Sequence, residues 1–400
     1  MYKKKIIDEP FYFLKKKNKT KSLTNILSNE CLDFLDTLSK EMIASKETKK
    51  NFDFFSFAMW LRKKNLRNII SEYKNIKKNQ IPIGQLFHIP SSNIPMSFAY
   101  TLVIGILSGN KNIIRIPEKS IEYAKKLSKI LIKLRKNFPN IVNNNTLVYY
   151  KKDKKLTEFF SLESDGRIFW GNDETIFDLK KLDSRPNSRD VFFNDKTSIS
   201  IINLDEVLYL SRNKIKKLCK NFFNDTYLFD QNACTSPKII IWIGNKNIKN
   251  TNIFWKELNE IIKKNYSLTD FMATDKFFIT STFLGKNIKQ NYKVKNIKNN
   301  INIIQCKKLN EVKIKNLISR WGLFYEMKCN NIKNIKIPIS KNYQTISYFG
   351  LNKKQKDEIF LNDSLKNFNR IVPIGNTMNF QLTWDGYDLI NYLTKKIEVR

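Results

Sequence analysis

Histidine is nearly absent from this chain of 400 residues: His88 stands alone. That excludes most histidine-rich zinc sites and leaves any Cys-His or Ser-His dyad a single possible base. His88 follows the apolar run around Ile83 and Leu86, where a hydrogen-bonded strand-end residue is expected sooner than a catalyst. Cysteine is sparse too: Cys31, Cys219, Cys234, Cys306 and Cys329 show no C-x-x-C spacing and are odd in number. A reducing, cytoplasmic compartment is expected. The start Met1-Tyr2-Lys3-Lys4-Lys5 is basic but runs into mixed polar sequence, so no signal peptide is expected. Long apolar runs are missing. The most apolar stretch, Ile94 to Gly109, is interrupted by Ser97, Tyr100, Thr101 and Ser108 and reads as a buried helix, not a membrane span. Acidic residues are short: 72 Lys and Arg oppose 37 Asp and Glu, a net charge of +35. Because the lysines are scattered among Asn and Ile, as an AT-rich genome writes on any protein, a basic nucleic-acid-binding protein is the minor alternative. No G-x-G-x-x-G occurs, so pattern alone leaves dinucleotide binding open.

What is present describes a globular protein. With 42% hydrophobic and 13% aromatic residues, the chain can bury a large core in two or three domains. Residues 80 to 205 alternate strand and helix signals. Phe87-His88-Ile89 reads as a strand end, Ser91-Ser92-Asn93 as a loop with capping residues, and Pro95 as the first turn of a helix over Phe98 to Leu107. Gly109-Asn110 closes that helix, Asn112 to Ile116 is a short strand, and Ile121, Ala124, Leu127, Leu131 and Leu134 form one helical stripe. Thr146 to Tyr150 and Arg167 to Trp170 follow as strands, the latter running into Gly171-Asn172. The alternation predicts a doubly wound parallel sheet, which binds nucleotides outside the carboxyl ends of its strands.

Cys234 lies in Phe229-Asp230-Gln231-Asn232-Ala233-Cys234-Thr235-Ser236-Pro237, a polar, turn-rich run just before the apolar strand Ile239 to Ile243. A thiol presented beside backbone amides at such a turn can act as a nucleophile. Taken in order and spacing, Ser92-Asn93-Ile94-Pro95, Gly109-Asn110 through Arg115-Ile116-Pro117-Glu118, Phe169-Trp170-Gly171-Asn172 and Gln231 to Thr235 resemble the cofactor and nucleophile motifs of the aldehyde dehydrogenase superfamily. Within it, Asn93 to Arg115, Phe229 to Pro237 and the tail from Arg370-Ile371-Val372-Pro373-Ile374-Gly375 to Trp384-Asp385-Gly386-Tyr387-Asp388 resemble the LuxC-type fatty acyl-CoA reductases. The resemblance covers residues 80 to 395.

That resemblance implies an aldehyde dehydrogenase-like fold with a nucleotide-binding domain (80–204) and a catalytic domain (205–369). Residues 1–79 read by pattern as an N-terminal helical region, whose aromatic cluster Phe52, Phe54, Phe55, Phe57 and Trp60 is better explained by packing than by a cofactor box. The tail 370–400 returns to the first domain or binds a neighbouring subunit. Cys234 would attack an acyl thioester, Asn93 would help hold the oxyanion, and Ser92, Arg115, Glu118, Gly171 and Asn172 would lie along the cofactor. Helix capping is the plain alternative for Asn93, and a capped turn for Gly171 and Asn172. Arg115 favours NADPH while Glu118 favours NADH, and NADPH is expected. Where hydrolytic relatives carry a water-activating glutamate this chain has Phe192, with Asp195 the alternative carboxylate and strand packing the plain reading of Phe192. Thr345 to Gly350 sits where relatives line the nicotinamide, or is core strand. The expected function is reduction of an acyl-CoA or acyl-protein thioester to an aldehyde, the alternative a CoA-acylating aldehyde dehydrogenase working oxidatively. An acyl-activating synthetase or acyl carrier protein is the implied partner, a homo-oligomer the implied assembly. No metal, specific nucleic acid or transmembrane segment is expected.

Overall fold

The computed structural model describes residues 9–15, 23–45, 48, 51–73, 79–290, 292–307, 309 and 317–398. The basic stretch Met1 to Lys5 lies outside them. The chain forms two compact units, Met1–Asn194 with Gln381–Arg400, and Asp195–Phe380.

In the first unit a six-stranded sheet runs in the order Phe11–Leu14, Asn145–Tyr149, Lys111–Arg115, Gln85–Ile89, Gly166–Trp170, Arg189–Phe193. All neighbours are parallel except Phe11–Leu14, an antiparallel edge strand in a region whose sequence reads as helical. From Gln85–Ile89 the chain steps outward through the helices Ser97–Leu107 and Ile121–Leu134, then crosses back to lay down Gly166–Trp170 on the other side. The strand order therefore reverses beside Gln85–Ile89, the arrangement that opens a crevice at the carboxyl ends of doubly wound sheets.

Local chemistry fixes these elements. Ala124, Leu127, Leu131 and Leu134 are buried from one face of their helix. Gly109 ends the preceding helix at φ 76°, with its N–H on the Ile106 carbonyl at 3.0 Å and the Asn110 N–H on Gly105 at 3.0 Å, a Schellman closure that glycine makes without steric cost. A Cβ there would meet the Thr24 carbonyl oxygen at 2.3 Å. That helix begins at Ser97, two residues beyond Pro95, because the Ser97 N–H closes a turn on Ile94 at 3.1 Å and its hydroxyl bonds the Ser91 carbonyl at 2.7 Å. Its N-cap is Met96, so Asn93 does not cap it.

His88 is fully buried, with Nδ1 2.7 Å from the Thr101 hydroxyl and Nε2 3.0 Å from Asn112 Oδ1. Burial lowers its pKa to about 4. It pins the central strand to a helix and a neighbouring strand. The helices Asn29–Ala44, Phe52–Trp60 and Lys63–Ile70 bury Cys31, Leu35, Phe54 and Phe57 in the cluster that holds Phe98 and Leu127. Phe57 meets Tyr100 edge-on at 5.0 Å, so Phe54 and Phe57 pack in the core while Phe52 and Phe55 of the same helix are exposed. Leu382 and Ile390 join the same cluster, and Thr394–Lys396 pairs antiparallel with Gln80–Pro82.

In the second unit seven strands run in the order Lys293–Ile297, Ile301–Gln305, Leu323–Cys329, Pro237–Ile243, Thr197–Asn203, Tyr343–Phe349, Arg370–Pro373. Only Lys293–Ile297 is antiparallel. Glu326 is buried with the Trp242 and Trp255 indoles donating to Oε1 at 2.9 and 2.7 Å. Among the described residues no helix is long and apolar enough to cross a membrane, and no three His, Cys, Asp or Glu side chains gather as metal ligands.

Candidate active site

The carboxyl ends of the first sheet gather every residue assigned to the cofactor by sequence. Ile89 pairs with Phe169, so the segments leaving these two strands, Ser91 to Asn93 and Gly171-Asn172, start from adjacent positions at the reversal of strand order. Ser92 and Asn93 are exposed. Asn172 caps the helix Asp173–Lys180, accepting the Thr175 N–H at 2.8 Å. Gly171 lies close against that helix, where a Cβ would meet Thr175 Cγ2 at 2.9 Å. Asp173 and Glu174 occupy the first turn, favourable to the helix dipole but adverse to a phosphate there.

Arg115 ends the strand Lys111–Arg115. Its guanidinium lies 4.9 Å from the Tyr150 ring centroid and Nη2 donates to the Tyr150 carbonyl at 3.1 Å. Its buried Nε has no partner among the described residues. An unpaired buried cation edge is costly, and it suits an anionic group arriving from outside. Glu118 is exposed in the turn Glu118–Ser120 that follows. A switch-point crevice, a closely packed glycine and an orphaned guanidinium edge together fit a nicotinamide dinucleotide.

The nucleophile segment belongs to the second unit and sits at the amino end of its strand, Pro237–Ile243. Cys31, Cys219, Cys306 and Cys329 are buried, and Cys234 alone is not. Burial raises the thiol pKa of all four buried cysteines, that of Cys306 to about 12, which keeps them protonated and inert. Cys234 and Thr235 form the centre of a β-turn closed by the Ser236 N–H on the Ala233 carbonyl at 3.0 Å.

The turn is anchored by side chains. Asp230 and Gln231 are left-handed at φ 54° and 60°, a conformation costing non-glycine residues about 1–2 kcal/mol each. Gln231 turns its buried carboxamide onto the Pro237 and Leu323 carbonyls, each at 3.0 Å, and accepts the Gly322 N–H at 3.1 Å. Ser198 Oγ donates to the Cys234 carbonyl at 2.7 Å, and Thr235 Oγ1 lies 3.2 Å from Met378 Sδ. The segment carrying Met378 is tied down by Asp225, whose buried carboxylate accepts the Gly375 and Thr377 N–H groups at 2.6 and 3.2 Å. Burial raises the Asp225 pKa to about 6, against those hydrogen bonds and the Arg370 charge.

Lys238 occupies an irregularity of the ladder, because Ser198 pairs with Pro237 and Ile199 with Ile239. Such a bulge re-aims a side chain. Burial lowers the Lys238 pKa, the negative charges of Cys234 and Asp195 oppose that, and Arg320 adds to it. Asp195 thus belongs, like Cys234, to the electrostatic surroundings of Lys238. Phe192 ends up packed: its ring is 5.8 Å from Phe169, with Lys180 Nζ 4.9 Å and the Arg167 guanidinium 5.9 Å from its centroid. Thr345 to Phe349 belongs to the inner strand Tyr343–Phe349. Sequence reading found Cys234 but missed Ser198, Asp225 and Lys238. Only the apolar flanks of Asp225, at Phe222, Phe223 and Tyr227, hinted at a buried carboxylate.

A profile of the acyl-CoA reductase (LuxC) family matches residues 35–269. A long-chain acyl-protein thioester reductase of Aliivibrio fischeri is 26% identical over 181 residues, 45% of this chain and 35% of the relative. The match thus spans about a third of that relative's length. Among solved structures, aldehyde dehydrogenase 21 of Physcomitrella patens superposes with a TM-score of 0.64 at 11% identity, covering 92% of this chain and 84% of the other. An indole-3-acetaldehyde dehydrogenase with bound NAD+ gives 0.61 at 11% identity over 92% and 82%. The fold is that of the aldehyde dehydrogenases.

Proposed function

Because this chain belongs to the acyl-CoA reductase (LuxC) family, we propose that it reduces an acyl thioester to an aldehyde through an S-acyl intermediate on Cys234, with NADPH as reductant. The observation that carries this reading is that Cys234 alone among five cysteines lies outside the core, on a braced turn within the family match. The Cys234 thiolate attacks the thioester carbonyl carbon, and the tetrahedral oxyanion collapses with cleavage of the original C–S bond. The departing thiolate takes a proton from solvent, leaving the acyl group on Cys234. NADPH, which Ser92, Arg115, Glu118, Gly171 and Asn172 would hold, would supply the hydride by which the acyl group on Cys234 becomes a thiohemiacetal oxyanion. As the carbonyl re-forms, Cys234 leaves as thiolate and the aldehyde is free.

The two oxyanions are assigned to the Cys234 backbone N–H and the exposed Asn93 carboxamide, a kind of donor whose loss typically costs about 10²–10³ in rate. Arg115 is assigned to an adenosine 2′-phosphate through its unpartnered edge, Glu118 to the ribose, and Ser92, Gly171 and Asn172 to the phosphate end. With Phe192 in place of a water-activating carboxylate, hydrolysis of the thioacyl group lacks its base. A donor carried on a protein accords with the activity named for the Aliivibrio fischeri relative, and an acyl-activating synthetase fits the same chemistry. We assign the protein to the cytoplasm.

Intact-mass spectrometry tests the reading. Incubation with acyl-CoA in the absence of reductant should add one acyl group, located on Cys234 and absent from Cys234→Ala. NADPH should discharge it to aldehyde faster than NADH. No adduct, or an adduct elsewhere, overturns the mechanism, and turnover only of aldehyde, CoA and oxidised cofactor would favour the oxidative direction.

A further inference from the structure

We propose that Ser198 is a positioning residue for the nucleophile, its hydroxyl holding the Cys234 turn against the neighbouring strand. The proposal rests on Cys234 being the acylated group. Ser198 is fully buried as the second residue of the strand Thr197–Asn203. Its hydroxyl donates to the Cys234 carbonyl at 2.7 Å and accepts the Thr345 N–H at 3.1 Å. One side chain therefore joins three separated segments: its own strand, the inner strand Tyr343–Phe349 and the nucleophile turn.

This link stands where the main chain offers least. The Cys234 carbonyl belongs to the central peptide of the Ala233–Ser236 turn, the peptide free to rotate without breaking the turn's closing bond. Beyond the turn, Pro237 has no N–H to give a neighbouring strand. Lys238 is skipped in the register, with Ser198 opposite Pro237 and Ile199 opposite Ile239. From Cys234 to Lys238 regular ladder bonding is interrupted, and the Ser198 hydroxyl supplies a tie to the sheet. A nucleophile must stay within a fraction of an ångström of its attack geometry, so losing that tie should slow chemistry at sulfur without weakening substrate binding.

Ser200 provides the control. It is buried on the same face of the same strand, two residues on, and its hydroxyl has no hydrogen-bond partner among the described residues. The experiment compares wild type, Ser198→Ala, Ser198→Thr and Ser200→Ala in two rates at Cys234: acylation by acyl-CoA, followed by rapid quench and intact mass, and alkylation by iodoacetamide across pH. Ser198→Ala should acylate about 10- to 100-fold more slowly at an unchanged half-saturating acyl-CoA concentration. Ser198→Thr keeps the hydroxyl and Ser200→Ala keeps the link, so both should stay within about threefold of wild type. Should Ser198→Ala fail to fold, a folded Ser198→Thr slowed as strongly as expected for Ser198→Ala overturns the proposal. So does an Ser198→Ala rate equal to that of Ser200→Ala. Absence of acylation in wild type would instead remove the functional reading, and the alkylation rates would then decide whether Ser198 holds Cys234: a changed rate or pH profile in Ser198→Ala alone supports it, and profiles identical to wild type overturn it.

Discussion

Replacing Asp225 by asparagine should make the second unit's stability less sensitive to pH. Asp225 lies at the end of the helix Arg212–Thr226 with no exposure. Burial carries its pKa from 3.8 to about 6, even though the Gly375 and Thr377 N–H groups and Arg370 favour the ionised form. The folded protein thus holds a proton on Asp225 between pH 4 and 6 that the unfolded chain has released. Stability from this group is fully present below pH 3.8 and is lost as pH rises through about 6. At 1.36 kcal/mol per unit, a displacement of roughly two units is worth about 3 kcal/mol.

The asparagine variant carries no charge at this position. Its Oδ1 can accept one of the two amides while its NH2 faces the other, a mismatch of about 1–3 kcal/mol that hardly varies with pH. The informative quantity is therefore the difference in unfolding free energy, wild type minus Asp225→Asn, measured by urea titration from pH 4 to pH 8 and followed by Trp242, Trp255 and Trp321. It should fall by about 3 kcal/mol across that range. The wild-type curve alone is no test, since His88 in the first unit contributes the opposite slope over much the same pH range. A flat or rising difference would refute the claim that burial outweighs the two hydrogen bonds and Arg370.

His88 should show that opposite slope: with its pKa lowered from 6.5 to about 4, its contribution is fully present above pH 6.5 and lost towards pH 4, about 3 kcal/mol in all. The His88→Gln difference curve, read from the transition reported by Trp60 and Trp170, should fall with acid, and no change would contradict the neutral buried ring. Phe192→Glu should not create a hydrolase, because Lys180 beside the ring would pair the new carboxylate and weaken it as a base. CoA release without NADPH oxidation should stay within about twofold of wild type, against the 10²–10⁴ that a working general base supplies.

The winding of the first unit was legible because its signals are local. The Ile121–Leu134 stripe, the Gly109 cap and the short apolar strands each span 14 residues or fewer, and their alternation dictates a parallel sheet. The helix start was misplaced because Pro95 suits a first helical turn, whereas the Ser97 hydroxyl finds the Ser91 carbonyl and delays the helix. The strand Phe11–Leu14 went unread since what makes it a strand is a partner near Tyr149. At the nucleophile the motif revealed Cys234 and nothing of its bracing. Ser198 is 36 residues from Cys234 and 147 from Thr345, and a serine in an isoleucine-rich strand carries no mark of such a role.

The two units fix their working residues by different physical means, and this determines which substitutions each tolerates. In the first, Asn172 shapes the turn at the carboxyl end of Gly166–Trp170, where a helix amino terminus already presents amides to a ligand. Much of that surface is main chain, and most side chains can change without moving it. In the second, the nucleophile stands at the amino end of a strand, where a parallel sheet presents no helix amino terminus. Its turn is held by the buried side chains Gln231 and Ser198, and through Met378 by Asp225. Each satisfies backbone groups that nothing else in the sequence neighbourhood can reach, so truncating one strands a buried donor or acceptor at about 1–3 kcal/mol and loosens the same turn. Mutational sensitivity in the second unit should therefore track hydrogen bonds to the Cys234 segment more closely than distance along the chain from Cys234.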